Sequence, residues 1–268
     1  MKKAIVYTVV FLFIQVVASS LVQLGWMAWK GADARLDATG MVVTMTIFSV
    51  ATLCVFLRTR WAELSRAWLL THPWFVLFWC VLAALGTIIP SSCLQEMLPE
   101  LPNIVENEFD MILRNRMGYF VIGLLAPFVE EVVFRGAVLR ALLRCWPGHV
   151  WRSILVSAVL FSAAHLNPAQ LPHTLLAGVL LGWFYSRTGS IIPGVVFHWV
   201  NNTVAYVVYN IYPDPKLKLV DLFGSEVHVA MAVAFSLCIL LPALFQLNLW
   251  MRQAEPMDIS KKATVTRK

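Results

Sequence analysis

The chain has 268 residues, 59% of them hydrophobic and 13% charged, with a mean hydropathy of +0.73 and a formal net charge of +6. So few polar residues cannot cover a water-exposed surface, which excludes the soluble globular class and leaves a polytopic membrane protein. Nucleic-acid binding is excluded as the source of the positive charge, because Lys and Arg are dispersed at the ends of apolar segments, where topology accounts for them.

In chain order, Ala4 to Trp29 reads as the first span, following Met-Lys-Lys. Its opening, up to Val-Ala-Ser-Ser, also resembles a cleavable secretory leader, but the apolar run continues for about 26 residues, so a retained helix is favoured. Lys30 to Ala38 is a polar loop, Gly40 to Leu57 a second span closed by Arg58, Arg60 and Arg66, and Trp68 to Ile89 a third. The longest connection runs from Pro90 to Arg116. It interleaves Glu96, Glu100, Glu106, Glu108 and Asp110 with apolar residues, and reads as an acidic amphipathic segment outside or on the membrane surface.

A fourth span begins near Met117, carries Glu130-Glu131-Val-Val-Phe-Arg135-Gly136, and continues to Arg140 and Arg144. The fifth, Trp151 to Leu166, stops before Asn167-Pro168. Leu171 to Tyr185, Ile191 to Ile211 and Val227 to Trp250 complete the set, and a tail with Arg252, Lys261, Lys262, Arg267 and Lys268 follows. The expected fold is therefore an all-α membrane bundle of about eight spans. Placing the amino terminus in the cytoplasm puts most of the 21 Lys and Arg residues on that side, with both termini inside and the plasma or inner membrane as the expected location. One structural domain is expected overall, divided into residues 1–116, a core at 117–211, and the last span and tail at 212–268. The five cysteines suggest neither disulfides nor a thiolate metal site.

Paired carboxylates inside an apolar span cost several kcal/mol and mark a functional site by default. His165, His198 and Asn202 are further polar residues in apolar spans. Residues four apart on a helix share a face, which aligns Glu131 with Arg135, Phe161 with His165, and His198 with Asn202. Glu130 and Glu131 diverge by about 100°, so one can aim into the bundle while the other pairs with Arg135. Counted from the cytoplasmic ends at 1.5 Å per residue, Glu130, His165 and His198 all lie at roughly 12–20 Å depth, in reach of one another. A carboxylate and an imidazole converging on one water make a general base able to attack a peptide carbonyl. A second imidazole and a carboxamide can donate to the oxyanion.

Glu130-Glu131-x-x-x-Arg135-Gly136, Phe161-x-x-x-His165 and His198-x-x-x-Asn202 resemble the three motifs of the CPBP intramembrane proteases, the family that includes the type II CAAX prenyl endopeptidases and many bacterial relatives. Tyr185-x-Arg-Thr-Gly-Ser is similar to that family's connecting segment, and the resemblance covers about a third of the chain, Met117 to Tyr206. It implies that Glu130 and His165 activate water, that His198 and Asn202 form the oxyanion site, and that Glu131 and Arg135 support the catalytic glutamate. It also implies a peptide or membrane-protein substrate within the bilayer and no metal.

Several plainer readings compete. Glu130 and Glu131 could form a buried ion pair with Arg135 that only locks helices. Two histidines and Glu130 could hold zinc, although no H-E-x-x-H pair is present. A proton-coupled transporter would use the same residue types, but would break its helices near them. A non-proteolytic scaffold or bacteriocin-immunity role within the same family is the remaining alternative. His173 and His228 receive no role, Asn201 points about 100° away from Asn202, and Trp26, Trp29, Trp61, Trp151 and Trp250 suit interfacial belts.

Overall fold

The computed structural model describes residues 1–62, 73–214 and 217–252, and among them every regular element is helical. Arg66, Trp68 and the tail residues Lys261, Lys262, Arg267 and Lys268, which figure in the expected topology, lie outside the described residues. Among the described residues, four helices are long and apolar enough to cross a membrane: Lys2–Lys30, Ala38–Arg58, Trp74–Met97 and Glu226–Met251. We label the first two α1 and α2, the third α3 (Pro73–Met97) and the last α11 (Glu226–Arg252). They expose Phe13, Trp74, Phe78, Phe235 and Phe245, each more than half accessible. Such residues are stable facing lipid and costly facing water, so the chain is an integral membrane protein.

Between these helices lie α4 (Glu106–Leu113), α5 (Ala126–Val133), α6 (Arg140–Cys145), α7 (Val150–Ala163), α8 (Leu171–Thr188), α9 (Ile192–Ile211) and the short α10 (Leu219–Phe223). The expected fourth span is a continuous helical run, but it is not uniformly α. Single π-helical stretches, Phe120–Leu125 and Phe134–Leu139, stand on either side of α5. The expected third span also extends further than the sequence suggests. It continues through Pro90 to Met97, because a proline removes only one ladder hydrogen bond and neighbouring helices can hold the turn in place.

Two of the three buried apolar clusters among the described residues hold the long helices against the middle of the chain. One gathers Phe11, Phe56, Phe134, Phe161 and Tyr185 around α5 and its π turns. The other joins α3, α8, α9 and α11 through Ala83, Ala84, Leu181, Phe197 and Leu247. Small residues permit close approach there: a Cβ on Gly86 would lie 2.8 Å from the backbone nitrogen of Leu240.

Contacts between helix ends fix relative direction. The amino terminus donates to Cys145 Sγ at 3.0 Å, and Tyr7 packs on Trp61 with ring centroids 4.8 Å apart, so the start of α1 meets the ends of α2 and α6. Phe75 stacks on Trp250 at 4.8 Å, which pairs the start of α3 with the end of α11. In the α1–α2 loop, Asp37 caps α2 by accepting from the Gly40 N–H at 2.9 Å. The hydrogen bond from Lys30, with that of Gly40, holds the Asp37 carboxyl below the usual carboxylate range.

Candidate active site

Glu130 and Glu131 are carried on α5, which the π turns join to the rest of its run. Pi-helical turns bond five residues back. In the first turn the Ala126 N–H reaches the Val121 carbonyl, and the next donor in that register would belong to Pro127, which has none. The carbonyl it would have reached is that of Ile122, and Asn202 Nδ2 donates to it at 3.0 Å. In the second turn the Phe134 carbonyl likewise accepts from a neighbouring helix, from Ser157 Oγ at 3.3 Å. Irregular backbone is thus paired with side chains from α9 and α7, as burial requires.

The two carboxylates occupy different environments. Glu131 is fully buried and accepts from Arg135 Nη1 at 2.7 Å. The guanidinium lies 4.3 Å from the Phe161 ring centre, and its Nη2 donates to the Gly178 carbonyl at 3.4 Å. Glu131 also faces His198, whose Nδ1 is 3.5 Å from its Oε1. On its other side Gly194 comes so close that a Cβ there would be 2.5 Å from Glu131 Oε2, so a larger residue at this turn of α9 would have to displace the carboxylate.

Glu130 points into a cavity of about 380 Å³ that His165, His173, His198, Asn201 and Asn202 also line. Its Oε2 is 4.0 Å from His165 Nε2 and 3.7 Å from His198 Nε2, and this buried oxygen makes no hydrogen bond to the protein. A smaller chamber of about 210 Å³, lined by Phe11, Phe48 and Phe134 among others, adjoins the same Glu130 and His165 from the α1–α2 side. The amphipathic segment expected on the surface contributes here. Phe109 of α4 borders both spaces, and Asp110 accepts from both Arg114 and the Tyr209 hydroxyl.

His165 lies just beyond the end of α7, and its ring is held by the backbone. Its Nδ1 is 2.9 Å from the Phe161 carbonyl, an atom that can only accept. A proton therefore sits on Nδ1, and Nε2 faces Glu130. The next residue, Leu166, has φ +52°, a left-handed conformation that costs a leucine energy and turns the chain sharply. Buried Asn167 fixes the turn by donating to Asn103 Oδ1 at 2.8 Å and accepting from the Ile104 N–H at 3.2 Å.

All six residues singled out from the sequence, Glu130, Glu131, Arg135, His165, His198 and Asn202, thus meet in one place. Asn201 and His173 belong with them, although neither is assigned a role by the motifs. Their signal was available only as more polar side chains in apolar helices. His228 stays apart, its Nδ1 3.0 Å from the Phe223 carbonyl. Glu130, His165 and His198 are the zinc candidates, yet among the described residues no three His, Cys, Asp or Glu side chains are arranged to hold a metal ion.

The site is thus a partly accessible carboxylate between two imidazoles inside a helical membrane protein. Residues 114–204 match the family model described as type II CAAX prenyl endopeptidase Rce1-like, so this third of the chain is similar to that family. The match spans all six of these side chains and both π turns. No curated protein and no solved structure matches the chain.

Proposed function

We propose that the protein is a glutamate-type intramembrane endopeptidase in which Glu130 and His165 activate the attacking water. The observation that carries this reading is the set of gaps of 3.7 and 4.0 Å around Glu130 Oε2. These are too long for direct hydrogen bonds but suit a water about 2.8 Å from each atom. Such a water donates one hydrogen to Glu130 and one to the His165 Nε2 lone pair, leaving its oxygen lone pairs free to attack.

The attack forms a bond from water oxygen to the scissile carbonyl carbon while Glu130 accepts the proton. Negative charge moves to the carbonyl oxygen, where His198, when protonated, and the Asn202 carboxamide supply donors. Glu130 then returns the proton to the departing nitrogen as the carbon–nitrogen bond breaks. Glu131 and Arg135 act one step back: their ion pair holds a carboxylate against His198 Nδ1 and so orients that ring. No metal is required by this scheme, and none of its steps uses one.

The direct test is digestion by purified, detergent-solubilised protein of two quenched-fluorescent probes. One is a plain transmembrane peptide; the other ends in a prenylated Cys-a-a-X sequence, because the matching family model carries that description. Cleavage of at least one probe is expected, with loss in His165→Ala and no loss after exhaustive treatment with a strong chelator. Retained activity in His165→Ala would sink the mechanism, and chelator sensitivity would restore zinc. A wild type that cleaves neither probe, in a cell where Glu130→Gln still supports complex formation or immunity, would favour the scaffold role.

We also place both termini in the cytoplasm, in the plasma or inner membrane. Lys2, Lys3, Arg58 and Arg144 come from helix ends that meet near the amino terminus, and that cluster suits the positive-inside rule. Cys145, which is exposed there, should react with a membrane-impermeant maleimide in inside-out vesicles only. Labelling in right-side-out vesicles alone would reverse the topology.

A further inference from the structure

On the polar side of the main cavity, away from Glu130 and His165, a chain of side-chain hydrogen bonds crosses three helices.

His173 opens α8 and touches two helices. Its Nδ1 is 3.2 Å from Ser91 Oγ on α3, and its Nε2 is 3.1 Å from Asn201 Nδ2 on α9. Ser91 is buried, and its hydroxyl proton is already used on the Ile88 carbonyl, 3.0 Å away. Toward His173 the serine oxygen can therefore only accept, which puts the imidazole proton on Nδ1. His173 Nε2 is left as an acceptor, and Asn201 must turn its amino group toward it.

The same Asn201 Nδ2 lies 3.4 Å from Asn202 Oδ1. One hydrogen of that amino group serves His173 and the other serves Asn202. Asn202 is consequently oriented with its oxygen toward Asn201 and its Nδ2 toward the π turn, where one hydrogen goes to the Ile122 carbonyl at 3.0 Å. Its second hydrogen is available to the cavity it lines.

We infer that Ser91, His173 and Asn201 form a positioning relay that fixes the Asn202 carboxamide with its amino group, not its oxygen, directed at the reacting carbonyl. The inference rests on reading Asn202 as an oxyanion donor. A flipped Asn202 would present an oxygen to a developing oxyanion, a repulsive contact instead of a hydrogen bond. His173 holds the amide against that flip without touching the substrate. His198 and His165, the other imidazoles of the cavity, have their nitrogens directed at Glu130, Glu131 and the Phe161 carbonyl, and take no part in the relay.

The test combines kinetics with a measurement that does not depend on turnover. On whichever probe the wild type cleaves, His173→Ala should lower kcat by about 10- to 100-fold, less than the ~10²–10³ of losing an oxyanion donor outright, with KM nearly unchanged. His173→Gln, which can offer a carbonyl oxygen to Asn201, should recover most of that loss. In an Asn202→Ala background, His173→Ala should cost nothing further. Equal losses in both backgrounds, or an effect on KM alone, would overturn the relay.

Nitrogen NMR of ¹⁵N-histidine-labelled protein in micelles should find His173 neutral and protonated on Nδ1, with the preference lost in Ser91→Ala. An Nε2-protonated His173, or one indifferent to Ser91→Ala, would overturn the relay even if the protein cleaved no probe. Loss of activity in Glu130→Gln with a relay that fails these tests would leave the hydrolytic reading standing alone.

Discussion

Glu130→Gln should abolish probe cleavage, by about 10³-fold or more, while the protein folds as well as the wild type or better. The two halves of this expectation come from the same geometry. A carboxamide matches the carboxylate in shape but cannot take a proton, and positioned general bases contribute roughly 10²–10⁴ in rate. Glu130 Oε2, meanwhile, is buried without a hydrogen bond to the protein, so replacing the carboxylate breaks no hydrogen bond at that oxygen. The measurement pairs kcat on the cleaved probe with a thermal melt in detergent. Full activity would remove Glu130 from the chemistry. A melt lowered by several degrees with activity lost would instead favour the reading of Glu130 as a structural ion-pair partner.

Arg135→Met should do the reverse, costing stability first. It leaves the Glu131 carboxylate fully buried with its 2.7 Å partner gone, and breaking such a pair from one side typically costs about 3–5 kcal/mol. The lost contact with the Phe161 ring adds an effect on the order of 1–2 kcal/mol, so the unpaired charge dominates. The double variant Glu131→Gln with Arg135→Met removes both charges and should regain much of the loss. Unfolding titrations of the four proteins of this cycle would show it as a strong favourable coupling. Additive losses would mean that the pair is not what stabilises this part of the bundle.

The contrast between these neighbouring glutamates was legible in the sequence to an unusual degree. Helical spacing alone pairs Glu131 with Arg135 and turns Glu130 away, and the i, i+4 contact is present even though a π turn begins at Phe134. The apolar runs were equally legible, because hydrocarbon admits few alternatives to helix. The π turns were not. No residue type marks them, and the extra residue becomes visible only when its freed carbonyl finds a partner. The stop expected at Pro90 failed because proline is judged by its behaviour in water-exposed helices, whereas α3 is held by α9 and α11.

The meeting of His173 with Asn201 was hidden for a different reason. The projection that sends Asn201 away from Asn202 is sound, but it places Asn201 where His173 arrives from α8, and only the packing of three helices reveals that meeting. A proline just before His173 suggests a helix start near the membrane surface, a setting in which histidines need no explanation.

The first π turn has a consequence for how this span can change over time. Its surplus residue sets the rotational phase between everything before Phe120 and the carboxylates on α5, and Asn202 is docked on the carbonyl that this phase and Pro127 leave open. Losing one residue here would let the turn relax to an ordinary α-helix and rotate the two parts by about 100° relative to each other. Ile122 would then present its carbonyl elsewhere, and Asn202 would lose its dock without being altered itself. Between Phe120 and Leu125 the chain can therefore exchange one apolar residue for another far more readily than it can change its length.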